Sequence, residues 1–578
     1  MSFIIGISGY YHDSSVCLLE NGELLEFLKE EELTRIKGTN GFPFRSLNFL
    51  VKKYGLNDNN IAQVIFYEKP LRGWAARVTH SFRHIDKSTQ LLSHQLKQFW
   101  NGPIGFAKDV QKCMKLDEQK IGYCPHHLSH ALSATPFVEE SLLERQIMHL
   151  VLDGVGDDEC QSILLTKGTK ATRVFSEKYP NSLGLFYSAI TDFCGFLVNE
   201  GEYKLMALAA YGKPVHVDLM LDEMLNKKGH RIRLNMDWFD FNHSTQRSYG
   251  EKFIHTFGEP INIRKIQTSA DYDFKRAADL AKSAQVVVES VIKDLIDWGL
   301  ANHTCEAITI TGGVAHNSLA MQAVCDYTAV NVPVTIPPSP GDSGAAIGAA
   351  VYGNMLHSKN YITTKKVFFS KQQPEQNQEL LNMMFSKKAD TQQMGPLIDK
   401  ALLSGDIICT FFSGKEIGPR ALGNRSILCA ANQPKTVSEL NNKIKKREFF
   451  RPLAPIMLEE TAQKYFCLLK NGEKNHHWMA MTAVASEAFP EEYNAALHVD
   501  KSARLQIIKD KEHVIFQSLR RLAGKIDVLI NTSFNVAGDP IVHDIIDCYT
   551  NMKRLGLNKL ITDTGYYELT DQQQGDIV

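Results

Sequence analysis

The sequence predicts an α/β fold divided between two domains, and three observations support this. Apolar runs that end at Gly or Asp alternate with stretches of helical periodicity along most of the chain, as strands and helices do in one fold. The 578 residues exceed what a single hydrophobic core usually organises. The stretch 371–395 is polar, rich in Gln and poor in β-branched residues, so a linker or an exposed helix belongs there. We predict domains at 1–370 and 396–578.

The individual elements follow from the same periodicities. Between two predicted strands, apolar residues recur at helical spacing over 274–300, with Gly299 near the end, and predict an amphipathic helix. Short apolar runs that lead into glycine-rich or polar loops predict strands in both domains, at 3–7, 149–152, 307–311, 406–412 and 525–530.

Charge and composition argue against several classes of partner. Lys plus Arg number 64 and Asp plus Glu number 65, and this near neutrality indicates neither a nucleic-acid nor a membrane partner. The first residues carry no basic leader, and their apolar run is too short for a signal sequence or a membrane span. The eleven cysteines form no CxxC pair, which argues against a disulfide framework or a zinc knuckle. We expect a cytoplasmic protein with reduced thiols.

Three glycine-rich turns in the first domain each follow a predicted strand: GISGYYHDSS, DGVGDD and TGGVAHN. Backbone amides presented after a strand commonly hold phosphates, although a single turn of this kind is more often only a tight turn. Their joint occurrence in this order resembles the duplicated fold of actin, the sugar kinases and the Hsp70-like ATPases. On this resemblance we expect ATP in a cleft of the first domain, with Gly312, Gly313 and Asn317 as nucleotide contacts.

The segment PHHLSHA predicts a metal site. On a helix, His126 and His130 would lie on one face, close enough to bind the same cation. Asp153 at the end of its strand and Asp342 in SPGDSG are candidates for the oxygen ligands, because both lie just after loops assigned to the cleft. His127 also shares a face with His130, and periodicity alone does not separate it from His126. The alternative is a helix N-terminus with solvated or capping histidines.

Two further residues of the first domain are candidates for catalysis. His12, beside Asp13 in the first glycine-rich turn, could accept a proton from an attacking hydroxyl, or it could only hydrogen-bond a phosphate. Lys204, in EGEYKLMALAAYG, is predicted to lie in a loop that covers the substrate, with a surface lysine as the alternative.

The second domain carries cations in three motifs, SGKEIGPRALGNRSIL, NNKIKKREFFRPLAP and SARLQ, and hydroxyl and amide groups in a fourth, NTSFNVAGDPIV. Neutralising a triphosphate and a carboxylate-like anion together requires several cations with hydroxyl and amide donors. We expect catalytic roles for Arg420, Lys445, Arg447 and Arg451, and nucleotide contacts from Arg425, Arg504, Ser533 and Asn535. An ordinary basic surface is the alternative, but the interleaved Phe and Pro residues are too apolar for a freely solvated stretch.

All these motifs, taken in order, resemble the O-carbamoyltransferase family that includes the nodulation-factor, cephamycin and tobramycin carbamoylating enzymes. The likeness covers nearly the whole chain. The KxR and SxN motifs resemble those of the domain that makes threonylcarbamoyl adenylate in tRNA modification, so a second domain of that fold is implied. The family's MGLAPYG reads MALAAYG here, with Ala207 and Ala210 in place of Gly and Pro, which puts the shape of that loop in question. The basic stretch 69–87 belongs to a region expected to vary with the acceptor, or is a solvated helix face.

The resemblance implies a reaction in three steps. Carbamoyl phosphate loses phosphate to give carbamate, which attacks the α-phosphate of ATP, with Mg²⁺, to give carbamoyl adenylate and pyrophosphate. The adenylate moves to the first domain, where a metal held by the two histidines and two aspartates polarises the carbamoyl oxygen and His12 assists the hydroxyl. The metal implied is Fe(II), and this ligand set would also accept manganese or zinc. The acceptor is a hydroxyl of a sugar, natural product or glycan; a homodimer is left open.

Two other functions are considered. A tRNA threonylcarbamoyl transferase would share both halves of the chemistry, but the near-neutral charge weighs against a tRNA partner. A non-catalytic actin-like nucleotide-binding protein is compatible with the first domain, because a fold does not determine a function. The arginine-rich motifs of the second domain argue against it.

Overall fold

The computed structural model describes residues 2–72, 102–244, 246–327, 329–358, 368–369 and 374–569. The chain forms two compact units. Unit 1 comprises Met1–Glu30, Gly38–Lys365 and Lys470–Gly472, and unit 2 comprises Glu31–Lys37, Lys366–Leu469 and Glu473–Val578. Over the described ranges, no helix has both the length and the apolar character that a bilayer crossing requires.

The strands are, in chain order, β1 Phe3–Ser8, β2 Ser15–Glu20, β3 Glu23–Lys29, β4 Ile61–Phe66, β5 Ile121–Tyr123, β6 Ile147–Gly156, β7 Glu159–Lys167, β8 Lys170–Lys178, β9 Ala307–Thr311, β10 Val334–Thr335, β11 Phe368–Phe369, β12 Phe385–Asp390, β13 Ile408–Phe411, β14 Lys415–Glu416, β15 Ser426–Ala430, β16 Ala454–Leu458, β17 Phe466–Cys467, β18 Ala483–Ala485, β19 Ser502–Ala503, β20 Gln506–Ile508, β21 Leu529–Ser533, β22 Lys559–Thr562 and β23 Gly565–Leu569.

The α-helices are α1 Glu30–Thr34, α2 Phe44–Tyr54, α3 Phe106–Cys113, α4 His126–Ser133, α5 Leu183–Phe193, α6 Glu202–Leu208, α7 Val217–Leu219, α8 Glu251–Phe257, α9 Tyr272–Asn302, α10 Ser318–Cys325, α11 Asp342–His357, α12 Pro374–Met384, α13 Met394–Leu403, α14 Pro434–Glu439, α15 Glu459–Tyr465, α16 Val514–Arg521 and α17 Ile545–Leu555.

Unit 1 contains the same five-stranded sheet twice. The first sheet has the order β3-β2-β1-β4-β5 and the second the order β8-β7-β6-β9-β10. In each sheet the first three strands in sequence pair antiparallel, and the fourth and fifth add in parallel. This repeat confirms the predicted duplicated α/β fold.

Helix α11 connects the first sheet to the predicted metal-binding segment. Its sequence is rich in Gly and Ala, and it packs on β1, β2, β4 and α4. At the crossing with α4, a Cβ atom on Gly348 would lie 1.6 Å from the carbonyl oxygen of Ser129, so only glycine allows this approach. The close crossing sets Asp342, the first residue of α11, beside the histidines of α4.

Unit 2 is built on an eight-stranded mixed sheet of order β12-β23-β22-β13-β15-β21-β16-β20. Alternate residues of its strands enter two separate cores; in β15, Ile427 and Cys429 belong to one and Leu428 and Ala430 to the other. Strands buried on both faces explain the continuous apolar runs in the sequence.

Several elements differ from the sequence-based expectation. The strand expected at 525–530 instead spans Leu529–Ser533. Residues 522–526 form a turn in which Gly524 has a φ of 80°, so the strand begins later. The segment 371–395, expected as a linker or an exposed helix, contains α12 and also β12, which pairs with β23 in the large sheet; residues 371–373 lie outside the described residues. The helix expected at 274–300 is confirmed as α9.

The prediction of a covering loop around Lys204 is wrong, because residues 202–208 form α6 and Ala209–Tyr211 continue as a 3-10 helix. Leu205, Met206 and Leu208 are buried at helical spacing. Alanine at 207 and 210 favours a helix where Gly and Pro would not, which is the physical reason for the difference.

Candidate functional site

Four buried side chains converge in unit 1. His126 and His130 lie one turn apart on α4, with their Nε2 atoms 3.0 Å from each other. Asp153 Oδ2 lies 3.2 Å from Nε2 of His126, and Asp342 Oδ1 lies 3.2 Å from Nε2 of His130. The four ligand atoms are all within 4.8 Å of one another. The structure thus brings together all four predicted metal ligands.

The donor set fits a divalent cation. Two imidazole nitrogens and two carboxylate oxygens suit iron, manganese or zinc. Two Nε2 atoms that face each other need a proton or a cation between them, since two lone pairs repel. Burial alone would raise the pKa of Asp153, but its bond to His126 and the charge of His130 hold that pKa well below its usual range. Burial would lower the pKa of His126, yet Asp153, Glu68 and Asp342 raise it.

His127 points away from this cluster. Its Nδ1 lies 2.7 Å from the hydroxyl of Ser162 on β7, and burial lowers its pKa to about 3. The geometry therefore favours His126 over His127 as the partner of His130.

Asp153 lies within β6, because this strand continues to Gly156 through an irregular pairing with β7; the sequence suggests that the strand ends at Leu152. Its Oδ1 accepts a hydrogen bond of 2.9 Å from the backbone N–H of Gly313. A Cβ atom on Gly156 would lie 1.9 Å from Cδ2 of His126, so this position requires glycine. The bulge and two glycine-rich turns together place the aspartate against the histidine.

His12 lies at the edge of the cluster. Its Nε2 is 3.6 Å from Asp342 Oδ2, and its Nδ1 is 3.1 Å from Asp13 Oδ2. Burial lowers the pKa of His12, but Asp342 and Asp13 outweigh burial and raise it to about 9. The imidazole is held between two carboxylates, with Nε2 on the side of the predicted metal ligands.

The other residues predicted for unit 1 have different surroundings. Asn317 caps α10 by accepting from the N–H of Ala320 at 3.1 Å, and its amide donates to Gln285 at 2.8 Å. Gly312 and Gly313 follow β9 directly. Lys204 Nζ lies 6.0 Å from the ring centre of Phe196. Their roles in nucleotide binding and catalysis stay predictions.

In unit 2 the KxR and SxN motifs meet at the end of β21. Lys445 Nζ donates to the carbonyls of Ser533 and Asn535 at 2.9 and 2.7 Å, and to Asn535 Oδ1 at 2.8 Å. Arg447 donates to Thr532 Oγ1 at 2.6 Å. Burial, followed by the charges of Arg447 and Arg451, lowers the pKa of Lys445 to about 7. This lysine holds the SxN loop in place.

Among the four arginines of the predicted site, the charges of three affect the pKa of the fourth. Burial lowers the pKa of Arg504, and the charges of Arg420, Arg451 and Arg447 lower it further, well below its usual value. Arg451 also contacts Glu448 at 3.2 Å. Guanidinium groups that destabilise one another's charge are suited to a multiply charged anion, and the binding of such an anion here stays a prediction.

The loop 418–425 is ordered by Glu416. A single carboxylate oxygen accepts from the N–H groups of Leu422, Asn424 and Arg425 at 2.8, 3.0 and 3.0 Å. The Arg425 side chain is buried, with its guanidinium carbon 3.6 Å from the ring centre of Phe411. It donates to the carbonyl of Phe412, so its surroundings are structural, and its nucleotide contact stays a prediction.

Sequence reasoning missed Glu68, Asp157 and Glu416. Glu68 is an acid that follows an apolar run, and this was the only signal in the sequence for it. Of the basic stretch 69–87, Arg72 pairs with Asp158 at 2.9 Å, and the backbone N–H of Lys69 donates to Asp157 at 2.9 Å. The other basic residues of that stretch, Arg77, Arg83 and Lys87, lie outside the described residues.

Comparisons with known proteins agree with these motifs. A family model for the carbamoyltransferase N-terminus matches residues 3–351, and one for the carbamoyltransferase C-terminus matches residues 399–568. "Uncharacterized protein sll1178" of Synechocystis sp. is 31% identical over 99% of this chain and 98% of its own length. Nodulation protein NolNO of Sinorhizobium fredii is 26% identical, over 96% of this chain and 78% of its own. Nodulation protein U of Rhizobium fredii is 25% identical, over 91% and 89%.

Among solved structures, component A of the (R)-2-hydroxyglutaryl-CoA dehydratase of Acidaminococcus fermentans covers 61% of this chain and 97% of its own, with 14% identity and a TM-score of 0.33. At that score the likeness carries no structural conclusion.

Proposed function

The chain belongs to the carbamoyltransferase family and is a transferase. From that premise we propose that it makes carbamoyl adenylate from ATP and carbamoyl phosphate and transfers the carbamoyl group to a hydroxyl. The observation that carries this proposal is the presence of two chemically different sites in two units. Unit 2 has a cluster of arginines suited to a polyanion, and unit 1 has a buried pair of histidines and aspartates suited to a cation.

In unit 2, water and carbamoyl phosphate give carbamate and inorganic phosphate. A carbamate oxygen then attacks the α-phosphorus of ATP, and pyrophosphate leaves with the electron pair of the α–β bridge. Arg420, Arg447, Arg451 and Arg504 would neutralise the charge that builds up on the phosphates, together with the Mg²⁺ that accompanies ATP. Lys445 would keep Ser533 and Asn535 in position to donate to the bound anion.

In unit 1, a cation held by His126, His130, Asp153 and Asp342 would supply Lewis acidity at the carbamoyl oxygen. His12 would accept the proton of the attacking hydroxyl at Nε2, while Asp13 fixes the ring through Nδ1. The raised pKa of His12 comes chiefly from Asp342. A cation bound to Asp342 would weaken that field, and Nε2 of His12 would then be available as a base. AMP is a better leaving group than an alkoxide, so the transfer runs forward.

The acceptor that we propose is a hydroxyl of a small molecule or glycan, with no nucleic acid involved, and the reaction would take place in the cytoplasm. Fe(II) is the metal that the family resemblance implies, and manganese or zinc would suit the same donors. Mass spectrometry of candidate sugars, natural products and glycans after incubation would identify the acceptor by one added carbamoyl group.

The division of labour is tested by following two half-reactions in variants of each unit. Arg420→Ala is expected to abolish pyrophosphate release from ATP plus carbamoyl phosphate, while His12→Asn is expected to spare that release and stop acceptor carbamoylation. Arg520→Ala is a suitable control, because Arg520 lies in unit 2 but is exposed and paired with Glu460. Loss of the same half-reaction in both variants would contradict the proposal.

A further inference from the structure

We propose that Glu68 is a positioning residue that accepts the Nδ1–H of His126 and so holds this histidine in the tautomer that presents Nε2 to the cation. The inference rests on the metal site of the proposed function and adds a residue to it. Glu68 follows β4, is 9% exposed, and is separated by 58 positions in sequence from the helix it serves.

The argument begins with the two sides of the His126 ring. Nε2 faces Asp153 and His130 and is the atom that the cluster offers to a cation. An imidazole that binds a cation through Nε2 must carry its proton on Nδ1. Nδ1 is buried and, over the described part of the chain, has no partner at hydrogen-bond distance. A buried N–H without an acceptor is costly, so an acceptor must approach when the cation binds.

Glu68 is the carboxylate in place to do so. Its Oε2 lies 3.8 Å from Nδ1 of His126, so a shift of less than about 1 Å gives an ordinary hydrogen bond. The other histidine already has such an acceptor, because Nδ1 of His130 lies 3.2 Å from the carbonyl oxygen of Pro340. Each histidine of the pair thus faces an oxygen on the side away from the cluster, a carbonyl already within hydrogen-bond distance of His130 and a carboxylate that can approach His126.

The backbone around Glu68 is tied to the first turn of α4. One oxygen of Asp157 accepts from the N–H of Lys69 at 2.9 Å, and the other accepts from the N–H of His126 at 3.0 Å. On the other side of Glu68, the Ser129 hydroxyl donates to the carbonyl of Tyr67 at 2.9 Å. These bonds fix the distance between the two backbones, so only side-chain rotation is needed to close the gap between Glu68 and His126.

The test is Co²⁺ binding to the full-length, metal-depleted protein, followed through the visible absorption of bound Co²⁺. Glu68→Ala is expected to weaken Co²⁺ binding by ~10- to 100-fold and to shift the absorption bands. Glu68→Gln, whose side-chain oxygen still accepts from Nδ1, is expected to recover part of the affinity. Glu177→Gln is the matched control, since Glu177 is also 9% exposed in unit 1 but pairs with Arg231 instead of a histidine of the cluster.

The outcomes separate this inference from the proposed function. Unchanged Co²⁺ affinity and unchanged bands in both Glu68 variants, with tight binding by wild type, would overturn the role of Glu68 and leave the metal site standing. Failure of wild type itself to bind Co²⁺ would overturn the metal site and the role of Glu68 with it. If Glu68→Ala does not fold, the band positions and affinity of Glu68→Gln decide the question, because a purely structural residue would leave both at their wild-type values.

Discussion

The Nε2 atoms of His126 and His130 lie 3.0 Å apart inside unit 1, with one aspartate oxygen 3.2 Å from each of them. Such a pairing of two imidazoles with two carboxylates in a buried place needs a proton or a cation between its members, because the lone pairs and the carboxylates otherwise repel.

The first prediction separates His126 from its neighbour. His126→Ala should lower the metal content of the purified protein by about tenfold or more, because it removes a ligand. His127→Ala should leave the metal content unchanged and lower the free energy of unfolding by about 1–3 kcal/mol, because the hydroxyl of Ser162 loses its buried partner. Elemental analysis and urea denaturation measure the two effects. An equal loss of metal in both variants would mean that the ligands are assigned wrongly.

The second prediction concerns the crossing of α4 and α11. Gly348→Ala places a methyl group 1.6 Å from the Ser129 carbonyl, so the helices must separate and Asp342 must move away from His130. We expect destabilisation of about 3 kcal/mol or more together with weaker metal binding. Gly105→Ala is the control, because the nearest atom to its Cβ would be Asp109 Oδ2, at 3.9 Å. Wild-type metal content in Gly348→Ala would show that this crossing does not set the position of Asp342.

The third prediction concerns Lys445 and pH. Its pKa is lowered from 10.5 to about 7, so between these values the unfolded chain holds a proton that the folded chain has lost. The free energy of unfolding should therefore rise with pH across this window, with a contribution from Lys445 of up to about 1.4 kcal/mol per pH unit. Lys445→Met should remove that contribution. Urea denaturation from pH 6 to pH 9 measures it, and a wild-type-minus-variant difference that does not change with pH would refute the prediction.

The same lysine should weaken ATP binding as the pH rises, whereas it makes the folded state more stable. A triphosphate prefers the protonated lysine, so the Kd for ATP should rise as pH increases above about 7 in wild type and change less in Lys445→Met. Calorimetric titration at several pH values compares the two proteins.

The fourth prediction concerns Glu416, whose carboxylate accepts three backbone N–H groups of the arginine-bearing loop. Glu416→Ala leaves these buried donors without an acceptor and should lower the free energy of unfolding by about 3 kcal/mol or more. Glu416→Gln should recover part of this loss. Glu460→Ala, which removes an exposed acid from the same unit, should have an effect within about 0.5 kcal/mol. Calorimetric unfolding of the three variants and wild type measures these effects. Equal unfolding temperatures for Glu416→Ala and wild type would contradict the role of Glu416.

Much of this architecture could be predicted from the sequence because its signals are local. The spacing of His126 and His130 requires only one helix, and the apolar run at Ala307–Thr311 predicts β9 with its bounds. Asp153 and Asp342 could be predicted as candidate ligands because each has glycines beside it in the sequence, in DGVGDD and in SPGDSG.

The residues that were missed depend on contacts between distant segments. Glu68 reaches His126 only because β4 lies beside the start of α4, and no periodicity encodes that neighbourhood. The helix around Lys204 was missed for a different reason. The small residues of this stretch suggested a loop, but they include Ala207 and Ala210, and alanine favours a helix.

The central claim is tested most directly by incubating the purified protein with ATP labelled at the α-phosphate, with and without carbamoyl phosphate, and identifying the labelled products. The account predicts labelled AMP or carbamoyl adenylate, together with pyrophosphate, and only when carbamoyl phosphate is present. Intact ATP, or labelled ADP with no pyrophosphate, would show that the α–β bond is not the one broken and would contradict the proposed reaction.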